Sequence, residues 1–191
     1  MTGRTHDLAA FTALNIVLVT QPIPDVSLST ALVSVGICLI GGLTPDIDDS
    51  TSEFWHKLPA GTIIGRLLHP FIGGHRLISH SILGLVIVGW ISSNLLNLAS
   101  TTLIVNMTIV WWSFMIGYLS HLIMDSLTTE GVPWLFPIPV RLGFLPFKSL
   151  RFKTGGLIEK FFIFPGLLIL NCYLFYNYYQ IYINFITKLI K

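Results

Sequence analysis

The stretch LIVNMTIVWWSFMIGYLSHLIM, residues 103–124, decides the fold class of this chain. It contains no Asp, Glu, Lys or Arg, and a membrane-spanning helix needs about 20 mostly apolar residues. Other stretches of the same character lie at 28–43, 77–99 and 161–186, and a shorter one lies at 8–20. The sequence therefore predicts an all-α, polytopic membrane bundle with four or five transmembrane helices.

The composition agrees with a lipid environment. Apolar residues make up 53% of the chain and charged residues 10%, whereas soluble domains carry about 25% charged residues. A length of 191 residues favours one membrane-embedded domain, 1–191. The net charge of +2 gives no strong basic field, so we expect no nucleic-acid partner.

Two long connections separate the predicted spans, at 44–76 and 125–160. Within the first, apolar residues recur at helical spacing over 59–72, which predicts an amphipathic helix lying on the membrane surface. Nine of the 11 Lys and Arg residues are predicted to lie on the same side of the membrane as these connections. The other two, Lys188 and Lys191, are predicted to lie on the opposite side. Because basic loops stay in the cytoplasm, we expect a multi-pass membrane protein with both connections in the cytoplasm.

Histidine and aspartate side chains gather on that same side. Ionisable groups at the ends of membrane helices are costly unless they are paired, solvated or bound to metal. His121 and Asp125 are four residues apart, so both project from one face of a helix. We therefore predict a metal site, with its leading ligands listed in chain order: Asp46, His75, His80, His121 and Asp125.

The residue types limit which metal could bind there. Imidazole nitrogens and carboxylate oxygens suit zinc, manganese or iron, and we expect zinc first. No cysteine is placed to complete a closed structural zinc site. Asp48 is expected either to bind the metal or to act as a general base. The alternative explanation is that His121 and Asp125 form a structural hydrogen-bonded pair and that Asp46 and Asp48 lie in a solvated turn.

Several motifs resemble the YdjM-like family of inner-membrane proteins. They are Pro45-Asp46-Ile47-Asp48, Gly74-His75-Arg76, Ser79-His80-Ser81 and Gly117-Tyr118-Leu119-Ser120-His121 with Asp125. His6 precedes them, and Gly131-Val132-Pro133 and Gly155-Gly156-Leu157-Ile158-Glu159 follow. Members are described as LexA-regulated, and the activity proposed for them is metal-dependent hydrolysis, with phospholipids as the substrate.

The resemblance implies a hydrolase acting on a membrane phospholipid or another lipid phosphoester. We expect Asp48, Arg76 and Glu159 to serve catalysis, and His6 to join the metal ligands. Arg151 or Lys153 could also hold a phosphate. Two alternatives stay open: a protein that binds or transports divalent cations, and a membrane scaffold with a structural metal.

Overall fold

The computed structural model describes residues 1–21, 26–49, 52, 55, 61, 63, 65, 78–138, 140–145 and 147–190. Among them it is all-helical and has no strand, which confirms the predicted fold class. The helices are α1 (Gly3–Thr20), α2 (Leu28–Leu43), α3 (Ile82–Ala99), α4 (Met107–Asp125), α5 (Phe164–Asn177) and α6 (Tyr179–Ile190). A 3₁₀ turn, Thr44–Asp48, continues α2, and a π-helical turn, Glu159–Ile163, leads into α5.

Four helical segments of the described chain are long and apolar enough to cross a membrane. They are Leu28–Asp48, Ile82–Ala99, Met107–Asp125 and Glu159–Asn177. Three of them begin where the sequence offers a capping side chain. Ser27, Ser81 and Asn106 each accept a hydrogen bond from a backbone N–H of the first helical turn, which satisfies donors that would otherwise stay unpaired.

The tightest contact in the bundle joins α2 and α4. A Cβ atom at Gly41 would lie 2.2 Å from the carbonyl oxygen of Phe114, and one at Gly117 would lie 2.0 Å from that of Cys38. Only glycine allows two backbones to come so close, which is a common way for helices to associate in membranes. Because α2 and α4 run parallel, both bring their C-terminal ends to the same end of the bundle.

Helix α1 packs against α2, α4 and α5, although it is not among the four candidate spans. Ala10 is fully buried, and its carbonyl oxygen lies 3.5 Å from the Cys38 thiol. On the other side, the Asn171 amide of α5 donates to Thr12 Oγ1 at 2.7 Å and accepts from Asn15 at 2.9 Å. The short apolar stretch at 8–20 thus belongs to a helix, α1, that is held inside the bundle by its small and polar residues.

The last apolar stretch, predicted as one span over 161–186, is divided at Tyr178. The backbone there leaves the helical region, with φ −113° and ψ 23°, and α6 begins at the next residue. The Tyr182 ring lies 4.7 Å from the Phe175 ring, and its hydroxyl donates to Asn15 Oδ1 at 3.4 Å. These contacts place α6 against the bundle. The predicted surface helix at 59–72 lies outside the described residues, apart from positions 61, 63 and 65.

Candidate metal centre

Five predicted ligand residues meet at one end of the bundle. Each comes from a helix terminus: the first turns of α1, the 3₁₀ turn after α2, the residues just before α3, and the last turns of α4. These residues are His6, Asp46, His80, His121 and Asp125. Their donor atoms form two overlapping groups, each with all members within 4.8 Å of one another: His6, Asp46 and His121, and His80, His121 and Asp125.

The distances between donor atoms match those of ligands that share one ion. The Nε2 atoms of His80 and His121 are 3.2 Å apart. Asp46 Oδ1 lies 3.5 Å from the first and 3.6 Å from the second. Asp125 Oδ2 lies 3.8 Å from each. Two ligands bound to one zinc at about 2.0–2.2 Å would be roughly 3–4 Å apart, so these donors fit a divalent cation.

His6 closes the group on a further side. Its ring stacks on that of His121, with centroids 3.7 Å apart and planes 9° apart. Its Nε2 lies 3.3 Å from Asp125 Oδ1, an oxygen that also accepts from the amino group of Met1. His6 Nδ1 has no hydrogen-bond partner among the described residues, although the side chain is fully buried. Buried polar atoms normally have a partner, so a bound cation would explain this one.

The glycine contact between α2 and α4 also orients His121. The carbonyl oxygen of Gly42 lies 2.7 Å from His121 Nδ1. A carbonyl can only accept, so the proton belongs on Nδ1 and the lone pair on Nε2. Such a partner for the second nitrogen is usual for histidines that bind metals. The backbone of α2 therefore turns His121 Nε2 towards the other donors.

Asp48 is placed on the opposite side of the His80 ring from Nε2. Its Oδ2 accepts a hydrogen bond of 2.5 Å from Ser79 Oγ, which in turn lies 3.0 Å from His80 Nδ1. Asp48 Oδ2 itself lies 3.8 Å from that nitrogen. The Tyr118 hydroxyl donates to the Ser79 carbonyl and so fixes this turn. Asp48 belongs to neither donor group of the described residues, and these contacts favour an orienting role.

Charge and burial compete at His80. Burial alone would lower the pKa of this histidine, but the carboxylates of Asp46 and Asp48 outweigh it and raise the pKa above its ordinary value. His6, His80, His121 and Asp125 are fully buried, whereas the side chain of Asp46 is 19% exposed. Among these donor residues, Asp46 therefore has the most accessible side chain.

Other predicted residues have different surroundings. Glu159 is buried, and its carboxylate accepts hydrogen bonds of 2.7–2.8 Å from Thr2, Thr5 and the backbone N–H of Gly155. These contacts tie the start of α1 to the segment before α5 and lie outside both donor groups, so a catalytic role of Glu159 stays a prediction.

Arg151 donates from Nε to Leu145 O at 2.7 Å within its own loop. His75 and Arg76 lie outside the described residues.

The residues that orient the candidate ligands are not evident from the sequence. Ser79, Tyr118 and the Gly42 carbonyl hold His80 and His121 through contacts that depend on the tertiary fold. The only local signals were the serines on either side of His80 and the paired glycines that end α2.

Comparison with known proteins agrees with this picture of a membrane protein. The family described as YdjM inner membrane protein matches residues 1–184. An uncharacterized protein of Bacillus subtilis, YvsG, is 33% identical over 140 residues, which cover 72% of this chain and 74% of the relative. No solved structure matches the chain significantly. With four helices able to span a membrane and a match over nearly its whole length, the chain belongs to the YdjM inner membrane protein family.

Proposed function

We propose that the protein is a membrane-bound, metal-dependent hydrolase that acts on a phospholipid or another lipid phosphoester. The observation that carries the proposal is the convergence of three histidines and two aspartates at the ends of membrane helices. Their donor atoms are nitrogen and oxygen, which suits zinc first and manganese or iron as alternatives. A divalent cation held there would supply Lewis acidity, polarising a phosphoryl oxygen and making water easier to deprotonate.

The residues of the chain have separate tasks in this proposal. His6, His80, His121, Asp46 and Asp125 would hold the cation. Asp48 and Ser79 would keep His80 in place, and the exposed edge of Asp46 would be where a headgroup enters. Arg76, which follows the ligand candidate His75 in sequence, would bind the phosphate. Because the donors lie at helix ends, a lipid could react without leaving the bilayer.

We further propose that the site faces the cytoplasm. The basic residues of the connection at 141–160 support this orientation, since Lys and Arg are enriched in cytoplasmic loops. A reporter fused within that connection should give a cytoplasmic signal in cells. A periplasmic signal would reverse the orientation.

The alternative function that a specific observation supports is a membrane scaffold in which the metal has only a structural role. Four of the five donor residues are fully buried, as they would be around an ion that only ties helices together.

Cation transport has less support. Within the four candidate spans, the Asp, Glu, Lys, Arg and His side chains all lie at one end, so no ionisable group marks a path across the bilayer.

Purified protein offered phospholipids and isoprenoid phosphates with zinc, manganese or iron would test the proposal. We expect the wild type to hydrolyse at least one lipid, and His121→Ala to lose both bound metal and turnover. Gly36→Ala is a matched control on the bundle surface, because a Cβ atom there meets no atom within 4 Å. Metal retention without hydrolysis of any lipid would favour the structural metal. Divalent-ion flux into liposomes that His121→Ala abolishes would favour transport.

A further inference from the structure

A groove of about 400 Å³ runs along the outside of α1, α4 and α5. Its walls include Ala13 of α1, Leu119 and Ile123 of α4 and Leu167 of α5. The groove is almost wholly apolar. Its two hydroxyl groups, on Thr12 and Ser120, donate to carbonyl oxygens of their own helices. The groove therefore offers packing surface and no free hydrogen-bond donor of its own.

The groove lies in the half of the bundle that carries the metal centre. Its α4 wall extends from Ile116 to Met124, and the last of these residues precedes Asp125. On α1 it begins at Ala9, one turn after His6. At a rise of 1.5 Å per residue, the α4 wall is about 12 Å long, close to the ~15 Å of one hydrocarbon leaflet. One end of the groove is thus next to the ligands, and the groove is long enough for most of one acyl chain in a leaflet.

The groove opens towards whatever surrounds the bundle. Leu119 and Ile123 are each 40% exposed, and both lie on a helix able to span the membrane. Their surroundings are then lipid chains. A second cavity, of about 240 Å³, lies between α1, α2 and α4 in the opposite half and is lined by Ala31, Val35 and Trp112. It shares only Val17 and Ile116 with the groove and so provides a built-in comparison.

We propose that the groove beside the metal centre receives one acyl chain of the diacyl phospholipid whose phosphoester reaches the donors. This inference rests on the proposed hydrolase function. Lipid chains are as apolar as the groove, so its contribution is alignment by van der Waals packing and not hydrophobic attraction. The groove would hold the chain parallel to α4 and set the headgroup at the level of Asp125.

A photoreactive phospholipid with a diazirine in its acyl chain tests this directly, because it marks the residues that the chain touches. In detergent micelles containing this lipid, we expect adducts on residues 119–124 of α4 to exceed those on the outer face of α3, at Val86 and Leu95. Ala13→Phe fills the groove and should remove the excess. Ala31→Phe, the same change in the second cavity, should leave it in place.

Two further measurements separate a blocked groove from a misfolded protein. Bound metal per chain should stay at the wild-type level in Ala13→Phe, and Leu119→Trp, at the partly exposed rim, should also reduce the adducts. Turnover of a long-chain phospholipid should fall in Ala13→Phe relative to turnover of a short-chain, water-soluble phosphodiester.

The inference is overturned if groove adducts are no more frequent than those on α3, or if they persist in Ala13→Phe and Leu119→Trp. It is also overturned if Ala31→Phe removes them equally. Failure of the proposed function looks different: the wild type then hydrolyses no lipid, while the adducts still report whether a chain occupies the groove.

Discussion

Replacing Asp48 with asparagine should weaken metal binding without abolishing it. Asn has nearly the same shape as Asp, so the change removes mainly the charge. Asp48 reaches His80 Nδ1 through Ser79, with successive distances of 2.5 and 3.0 Å, and lies 3.8 Å from that nitrogen directly. We therefore expect the substitution to affect metal binding indirectly, through His80, because Asp48 itself does not bind the metal.

The size of the effect follows from this indirect path. Loss of a group that orients a metal-bound histidine typically costs 10- to 100-fold in metal affinity. Because the path to His80 passes through a serine hydroxyl, we expect the lower end, about tenfold or 1.4 kcal/mol. Ser79→Ala interrupts the same path and should cost about as much. The double variant Asp48→Asn/Ser79→Ala should then bind metal nearly as well as either single variant, since coupled groups are not additive.

Competition with a chromogenic chelator at pH 8 would give the zinc affinity of each purified variant. His121→Ala serves as the reference for the loss of a ligand. An affinity of Asp48→Asn equal to the wild type would refute the orienting role. An affinity as low as that of His121→Ala would show instead that Asp48 binds the metal. Additive losses in the double variant would refute the path through Ser79.

The same substitution should have a smaller effect in acid. The carboxylate of Asp48 helps to raise the pKa of His80 above its ordinary value, so in the wild type protons should compete with metal at a higher pH than they would at an unperturbed histidine. Asp48→Asn removes part of that increase and lets His80 stay neutral to lower pH. The ratio of the two affinities should therefore shrink between pH 8 and pH 6. A constant or growing ratio would contradict this assignment of the pKa.

In the wild type, zinc affinity should fall as the pH drops below the raised pKa of His80, which the same chelator titration measures. Gly117→Ala should lower the free energy of unfolding by about 1–3 kcal/mol through overpacking, whereas Gly36→Ala should not; equal effects in chemical denaturation would contradict the close helix contact. Glu159→Gln should lower Tm by weakening charge-assisted hydrogen bonds while bound metal stays constant, and metal loss would reveal a role at the centre. Asn171→Leu should destabilise the bundle by about 0.6 to 1.7 kcal/mol, the usual value of a hydrogen bond between membrane helices.

The sequence predicts the helical bundle well because lipid makes strong demands on a chain. A span must be long, apolar and internally hydrogen-bonded, and the stretches at 77–99 and 103–124 meet those demands without help from tertiary contacts. The grouping of His6, Asp46, His80, His121 and Asp125 was also predictable. Ligands at the same end of neighbouring spans are forced into one layer of the bundle, and the structure brings these five together.

Local geometry was less predictable. The side on which Asp48 meets His80 depends on how the 3₁₀ turn at Thr44–Asp48 packs against Ser79, and spacing along the chain does not determine such a turn. The sequence does not determine the position of α1, because a helix of modest hydropathy could lie on the surface or inside. Its inner position depends on pairing Thr12 and Asn15 with Asn171, far along the sequence.

The parallel contact of α2 and α4 has a consequence for biogenesis. Two consecutive spans cannot enter a membrane in the same direction, so α2 must wait in the bilayer until α3 has turned the nascent chain back and α4 has followed. Only then can Gly41 and Gly117 meet and the Gly42 carbonyl reach His121. An insertion intermediate that ends before α4 carries Asp46 and His80 but lacks His121 and Asp125. A metal held by these residues would therefore load late, after α4 has left the translocon, and its binding would report that the membrane topology is correct.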